Sequence, residues 1–114
     1  MKRSLLDEIP AELSEELISV LAENDRMKIE RIVSDGHASP EGFWYDQNQD
    51  EWVLLVSGSA VLSVKKKSGI ERVELGPGDH LLIPAHQPHR VEETSSTEKT
   101  IWIAVYYEND AISG

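Results

Sequence analysis

Two short stretches concentrate the ligand-type side chains of this sequence. The first is the polar turn Asp46-Gln47-Asn48-Gln49-Asp50, which ends in Glu51 and runs straight into Trp52-Val53-Leu54-Leu55-Val56, the most apolar run in the chain. The second spans His80 to His89 and holds three of the four histidines, His80, His86 and His89. A carboxylate, an imidazole and an amide oxygen together suit a hard-to-borderline divalent ion such as Zn, Mn, Fe or Ni. Glu51 can instead accept a hydrogen bond from His89 or Gln47 in a metal-free cavity, and Glu51, Asp46 and Tyr45 are the candidates for a general base. With no cysteine, thiolate ligands and disulfides are both excluded. His37 and His80 read as surface or loop residues.

The elements that position these residues follow from hydrophobic period. Leu13, Leu17, Val20 and Leu21 fall at i, i+4, i+7 and i+8, which predicts one helix over residues 10–23 with Pro10 in its first turn. From Met27 the period drops to 2, and strands are expected at 29–34, 42–46, 51–57, 59–66, 70–75, 80–84, 88–94 and 100–107. Ser68-Gly69 and Gly76-Pro77-Gly78-Asp79 are strong turn signals, and Lys65-Lys66-Lys67 reads as a charged hairpin tip. Strands about ten residues apart, punctuated by Gly and Pro, argue for an antiparallel sandwich or barrel. The expected organisation is a helical segment over 1–26 packed on a barrel of 27–108, with a frayed tail at 109–114.

Composition narrows the function classes. A length of 114 residues suits a single core. A net charge of -10 argues against a nucleic-acid partner, because phosphate binding needs a basic face. No run approaches bilayer length, and Met1-Lys2-Arg3-Ser4-Leu5-Leu6 lacks the apolar stretch of a leader. The expectation is a cytoplasmic chain with no membrane partner.

From Glu51 to Gly58 the pattern is E-x6-G, and from Gly78 through Pro84 to His89 it is G-x5-P-x4-H. These resemble the two motifs of the cupin superfamily, in order and at a typical separation. Residues 36–94 carry the likeness, and the stretch PEGFWYDQ followed by EWV is similar to small single-domain cupins of unassigned function. The resemblance implies an all-β fold, an antiparallel jelly-roll β-barrel with a site inside one end, here with the one N-terminal α-helix outside it. Carried over by position, the metal carboxylate falls on Glu51 and the second-motif histidine on His89. The two histidines of the first motif fall on Tyr45 and Gln47, and a usual glycine falls on His86. The implied metal set is therefore Glu51, His89 and Gln47, with His86 and Tyr45 as lesser candidates.

Alternation along Glu51-Trp52-Val53 places Glu51, Val53 and Leu55 on one face, and His89 shares a face with Val91. An acid among such apolar neighbours needs His89, Gln47 or a cation within reach. Three function classes stay open. One is a metal-dependent isomerase, dioxygenase or lyase acting on a small polar molecule. Another is a barrel that binds a small-molecule ligand without turning it over. The third is a structural protein. Unpaired edge strands predict a homodimer.

Overall fold

The computed structural model describes residues 1–108, so the tail expected at 109–114 lies outside the described residues. Eight strands form in chain order: β1 (Leu17–Glu23), β2 (Met27–Ser34), β3 (Asp50–Ser57), β4 (Ala60–Lys66), β5 (Gly69–Leu75), β6 (His80–Ile83), β7 (His89–Thr94) and β8 (Thr100–Tyr107). They pair antiparallel into a five-stranded sheet, in the order β1-β2-β8-β3-β6, and a three-stranded sheet, in the order β5-β4-β7. The fold is all-β, and the two sheets are not closed into a barrel by continuous pairing. That corrects the expected closed barrel. Each sheet keeps free edges, and the core is the layer between them.

The helix expected over 10–23 does not form, and among the described residues no α-helix is present. The helical stripe left out Ile18, a β-branched residue that a strand places on the same face as Glu16 and Val20. Strand β2 supplies a free edge for pairing, with Leu17 opposite Val33, Ile18 opposite Ile32 and Val20 opposite Glu30. Tertiary pairing outweighs a short stretch of helical period. A bulge between Val20 and Ala22 leaves Leu21 as the extra residue. The strand expected at 42–46 shrinks to one bridge, Tyr45 with His89. Arg90 holds that loop from outside, donating to the carbonyls of Ser39, Pro40 and Phe43.

The inward faces of both sheets follow period 2. In the large sheet the register sets Glu51 beside Tyr106 and Ile83, Val53 beside Ala104 and Leu81, and Leu55 beside Trp102. In the small sheet Leu62 lies beside Val73 and Val91, and Val64 beside His89. Val53, Leu55, Ala60, Leu62, Leu75, Ile83 and Trp102 form the core cluster. Both motif glycines sit in turns with left-handed φ, Gly58 at 86° and Gly78 at 91°. Gly58 is also crowded, since a Cβ there would stand 2.4 Å from Thr100 Oγ1.

Candidate functional site

One end of the intersheet layer is a cavity of about 130 Å³. Its apolar lining includes Ile18, Ile32, Val53, Leu62, Val91 and Trp102, and its polar lining is Glu16, Glu30, Tyr45, Gln47, Glu51, His89 and Tyr106. Glu51 enters from the large sheet and His89 from the small one, and both are buried. His89 Nε2 stands 3.4 Å from Glu51 Oε1. The same oxygen accepts a hydrogen bond of 3.0 Å from Gln47 Nε2, and Tyr106 lies beside Glu51 on the neighbouring strand. The need of a buried acid for partners is thus met by Gln47 and His89.

The other nitrogen of His89 decides its state. Nδ1 lies 2.9 Å from the carbonyl oxygen of Gln87, which can only accept. With Nδ1–H given to that carbonyl and Nε2 facing a carboxylate, both nitrogens meet acceptors, an arrangement that favours the imidazolium. Burial alone pulls His89 down. The hydrogen bond to Glu51, the Gln87 carbonyl and the charges of Glu51 and Asp46 outweigh it, so the imidazole is raised above its ordinary value. Tyr45 stacks on the ring at 5.4 Å between centroids and pairs with its backbone, Tyr45 N to His89 O at 2.7 Å and His89 N to Tyr45 O at 3.1 Å. Burial, then the charges of Glu16 and Glu51, push the Tyr45 hydroxyl up. Burial, then the charges of Glu51 and Glu30, push Tyr106 far above the usual phenol range.

Of the residues expected at a metal, Glu51, His89, Gln47 and Tyr45 converge on the cavity. His86 does not. It sits in the turn before β7 at φ 62°, a conformation that suits the glycine implied at that position. Its exposed ring donates from Nδ1 to Asp46 Oδ1 at 2.8 Å, in an outer basin. Among the described residues no three of His, Cys, Asp and Glu are grouped to hold a metal ion. The Glu51 oxygen nearest His89 already accepts from the Gln47 amide, which presents its nitrogen, and His89 Nε2 is turned to a carboxylate. These donors do not fit a resident metal.

His37 and His80 lie outside the cavity, as expected. His37 Nδ1 accepts from the Asp35 amide at 2.9 Å, and His80 packs on Trp52 at 5.5 Å. Asp50 is a positioning group, since its buried carboxylate accepts from Ala85 N at 2.8 Å and ties the loop that delivers His89 to the start of β3. Sequence reasoning missed Glu16 and Glu30. The signal for Glu30 was its alternation with Ile32 in an otherwise inward-facing row, whereas Glu16 became visible only once β1 replaced the helix.

The two-sheet fold, the E-x6-G and G-x5-P-x4-H stretches and an intersheet site at one end define a cupin. The chain belongs to the cupin domain family, whose model matches residues 32–106. Among solved structures it is similar to a protein from Ralstonia eutropha JMP134, provisionally named a mannose-6-phosphate isomerase, at 42% identity and TM-score 0.89, covering 96% of this chain and 99% of that one. It also shares its fold with a cupin superfamily protein from Desulfitobacterium hafniense DCB-2, at 22% identity and TM-score 0.71, covering 89% and 84% of the two chains. The hydroxypropylphosphonic acid epoxidase of S. wedmorenis shares the fold at 14% identity and TM-score 0.69, covering 83% of this chain and 52% of that one. A search of curated proteins finds no match.

Proposed function

We propose that this cupin binds a compact organic molecule in the cavity between its sheets, with an apolar body against Ile32, Leu62 and Trp102 and a polar end at Glu51. The observation that carries the reading is the Glu51–His89 pair, closed at 3.4 Å at the wall of an otherwise largely apolar cavity. A volume of about 130 Å³ is comparable to an engineered cavity of roughly 150 Å³ that takes up benzene. That sets the ligand at a single small ring or a short branched chain. The name of the Ralstonia relative raises a sugar phosphate as ligand. The inner cavity argues against one, since no Lys or Arg lines it and three glutamates do.

A second reading is supported by the convergence of Gln47, Glu51 and His89. A divalent ion could be held there if the Gln47 amide turned its oxygen inward and His89 gave up a proton, which makes such an ion weakly held and exchangeable. Elemental analysis of protein purified without added metal separates the readings. We expect a content well below one metal per chain, together with ligand-induced shifts of the Trp102 indole N–H signal in NMR spectra recorded with chelator present. Near-stoichiometric metal, lost in Glu51→Gln and His89→Ala but kept in His37→Ala and His80→Ala, overturns the first reading in favour of the second.

A further inference from the structure

Resting on the ligand-binding reading above, we infer that a second copy of this chain closes the cavity, so that ligand binding and dimer formation are coupled. The lining shows where the cavity opens. Every lining residue is buried or half-buried except Ile18 and Tyr45, which are 54% and 36% exposed. The mouth therefore lies between strand β1 and the loop that carries Tyr45. Its rim is apolar on both sides. Val20, the next residue of β1 on the cavity face, is 48% exposed. Phe43 packs edge-on against Tyr45 at 4.8 Å between ring centres and is 44% exposed. Four large apolar side chains left uncovered around one opening mark a wall that the single chain does not complete.

The free edge of β1 points to what covers it. This strand is paired on one side only, with β2, and its other side carries no strand. Its stretch from Leu17 to Val20 is regular, so the outward backbone groups are set to accept another strand. The same stretch is self-complementary. Antiparallel pairing with its own copy about Ser19 sets Ile18 opposite Val20 of the partner subunit, and Val20 opposite Ile18 of the partner subunit, all on the cavity face. Side chains directly opposed in this way stand about 5 Å apart, so each exposed apolar group gains an apolar neighbour. Charge permits the contact as well. The chain carries a net charge of -10, yet Leu17 through Ala22 holds no charged residue. The centre of a contact between two acidic copies is therefore free of carboxylates. The added strand extends the five-stranded sheet past Ile18 and continues that lip of the mouth, across from Tyr45 and Phe43.

The test follows one small ring compound, cyclohexanol, titrated into the full chain with chelator present and the Trp102 indole N–H signal as reporter. Wild-type protein is measured at a concentration where light scattering shows dimer and again, after dilution, where it shows monomer. The dimer should bind cyclohexanol about fivefold or more tighter than the monomer. Because coupling is reciprocal, saturating cyclohexanol should in turn lower the concentration at which the dimer forms. Val20→Lys should behave as the monomer at every concentration, with the weaker affinity and an unaltered free indole signal. Val20 does not line the cavity, so its substitution reaches the ligand only through the partner. Equal affinity in monomer and dimer, a wild type that never dimerises, or a Val20→Lys variant that stays dimeric overturns this inference and leaves the ligand cavity standing. If cyclohexanol never moves the wild-type indole signal, the ligand-binding reading itself fails and takes this inference with it.

Discussion

Glu51 on β3 and His89 on β7 join the two sheets through one ion pair, Nε2 to Oε1 at 3.4 Å, with side chains 9% and 6% exposed. The core cluster between the sheets is apolar, and this pair lines the cavity at one end of it. Removing one member strands the other in a poorly solvated place. Glu51→Gln leaves an imidazolium without its counter-charge, and His89→Ala leaves a carboxylate with the Gln47 amide as its hydrogen-bond partner. Each single substitution is expected to cost on the order of 3 kcal/mol, measured by urea unfolding. The double variant should cost less than the two singles added together. Additive costs would show that the pair is not coupled.

The raised His89 value has a pH consequence. A group whose folded value lies above its unfolded one stabilises the fold fully below the unfolded value, near 6.5. That stabilisation is lost as pH rises through the higher folded value. In the metal-free protein, the stability gap between wild type and His89→Gln should therefore be widest at pH 6 and below, and should narrow as the solution becomes alkaline. Imidazole proton shifts followed by NMR should place the His89 midpoint above the ordinary imidazole value of about 6.5. A midpoint at or below that ordinary value would mean that burial outweighs Glu51 and the Gln87 carbonyl.

How much of this was legible in the sequence depended on how local each signal was. Seven of the expected strands form, with shifts of a residue or two at their ends, because alternation such as Ala60-Val61-Leu62-Ser63-Val64 is read from neighbours alone. Glu51 and His89 were legible by another route, the resemblance of the E-x6-G and G-x5-P-x4-H stretches to the two cupin motifs. The stretch from Leu13 to Leu21 satisfied a helical period and a strand period at once. What decided between them was the free edge of β2, which is distant in sequence. The 42–46 segment had the aromatic content of a strand, but Arg90 takes the carbonyl of Phe43 within it and that of Pro40 just before it. Phe43 consequently stays 44% exposed instead of entering the core. The direction of His86 was likewise not legible, because it follows from a positive φ that only the turn geometry reveals.

Gly58 offers a backbone test at the end of the first motif. Its φ of 86° disfavours any side chain, and a Cβ would meet Thr100 Oγ1 at 2.4 Å and the Lys99 carbonyl oxygen at 2.9 Å. Thr100 cannot move aside freely, since its hydroxyl donates to Ser59 O at 3.1 Å and accepts from Ser59 N at 3.3 Å. Gly58→Ala should therefore destabilise by about 2–4 kcal/mol through combined strain and overpacking. Gly78→Ala, at a similar φ of 91° but with open space around it, should cost only about 1 kcal/mol. Comparable losses at the two positions would mean that the contact with Thr100 relaxes without cost.

Strand β1 is the edge of the five-stranded sheet and leaves one row of its backbone groups unpaired. On it Ile18, Val20 and Leu21 are 54%, 48% and 42% exposed, an apolar strip beside an open edge. Such an edge invites pairing with another chain unless something blunts it. Here the bulge at Leu21 disturbs only the second half of the strand and leaves Leu17 to Val20 regular. The opposite edge, β6, is four residues long and less able to support a contact. We therefore propose a homodimer in which two copies cover each other's β1. Light scattering at micromolar concentration should give twice the chain mass of 12.8 kDa. Val20→Lys, which places a charge on the exposed strip, should shift the population to monomer while leaving the Trp102 indole signal in place. A wild type that stays monomeric at the highest soluble concentration would sink the proposal, as would a Val20→Lys variant that remains dimeric.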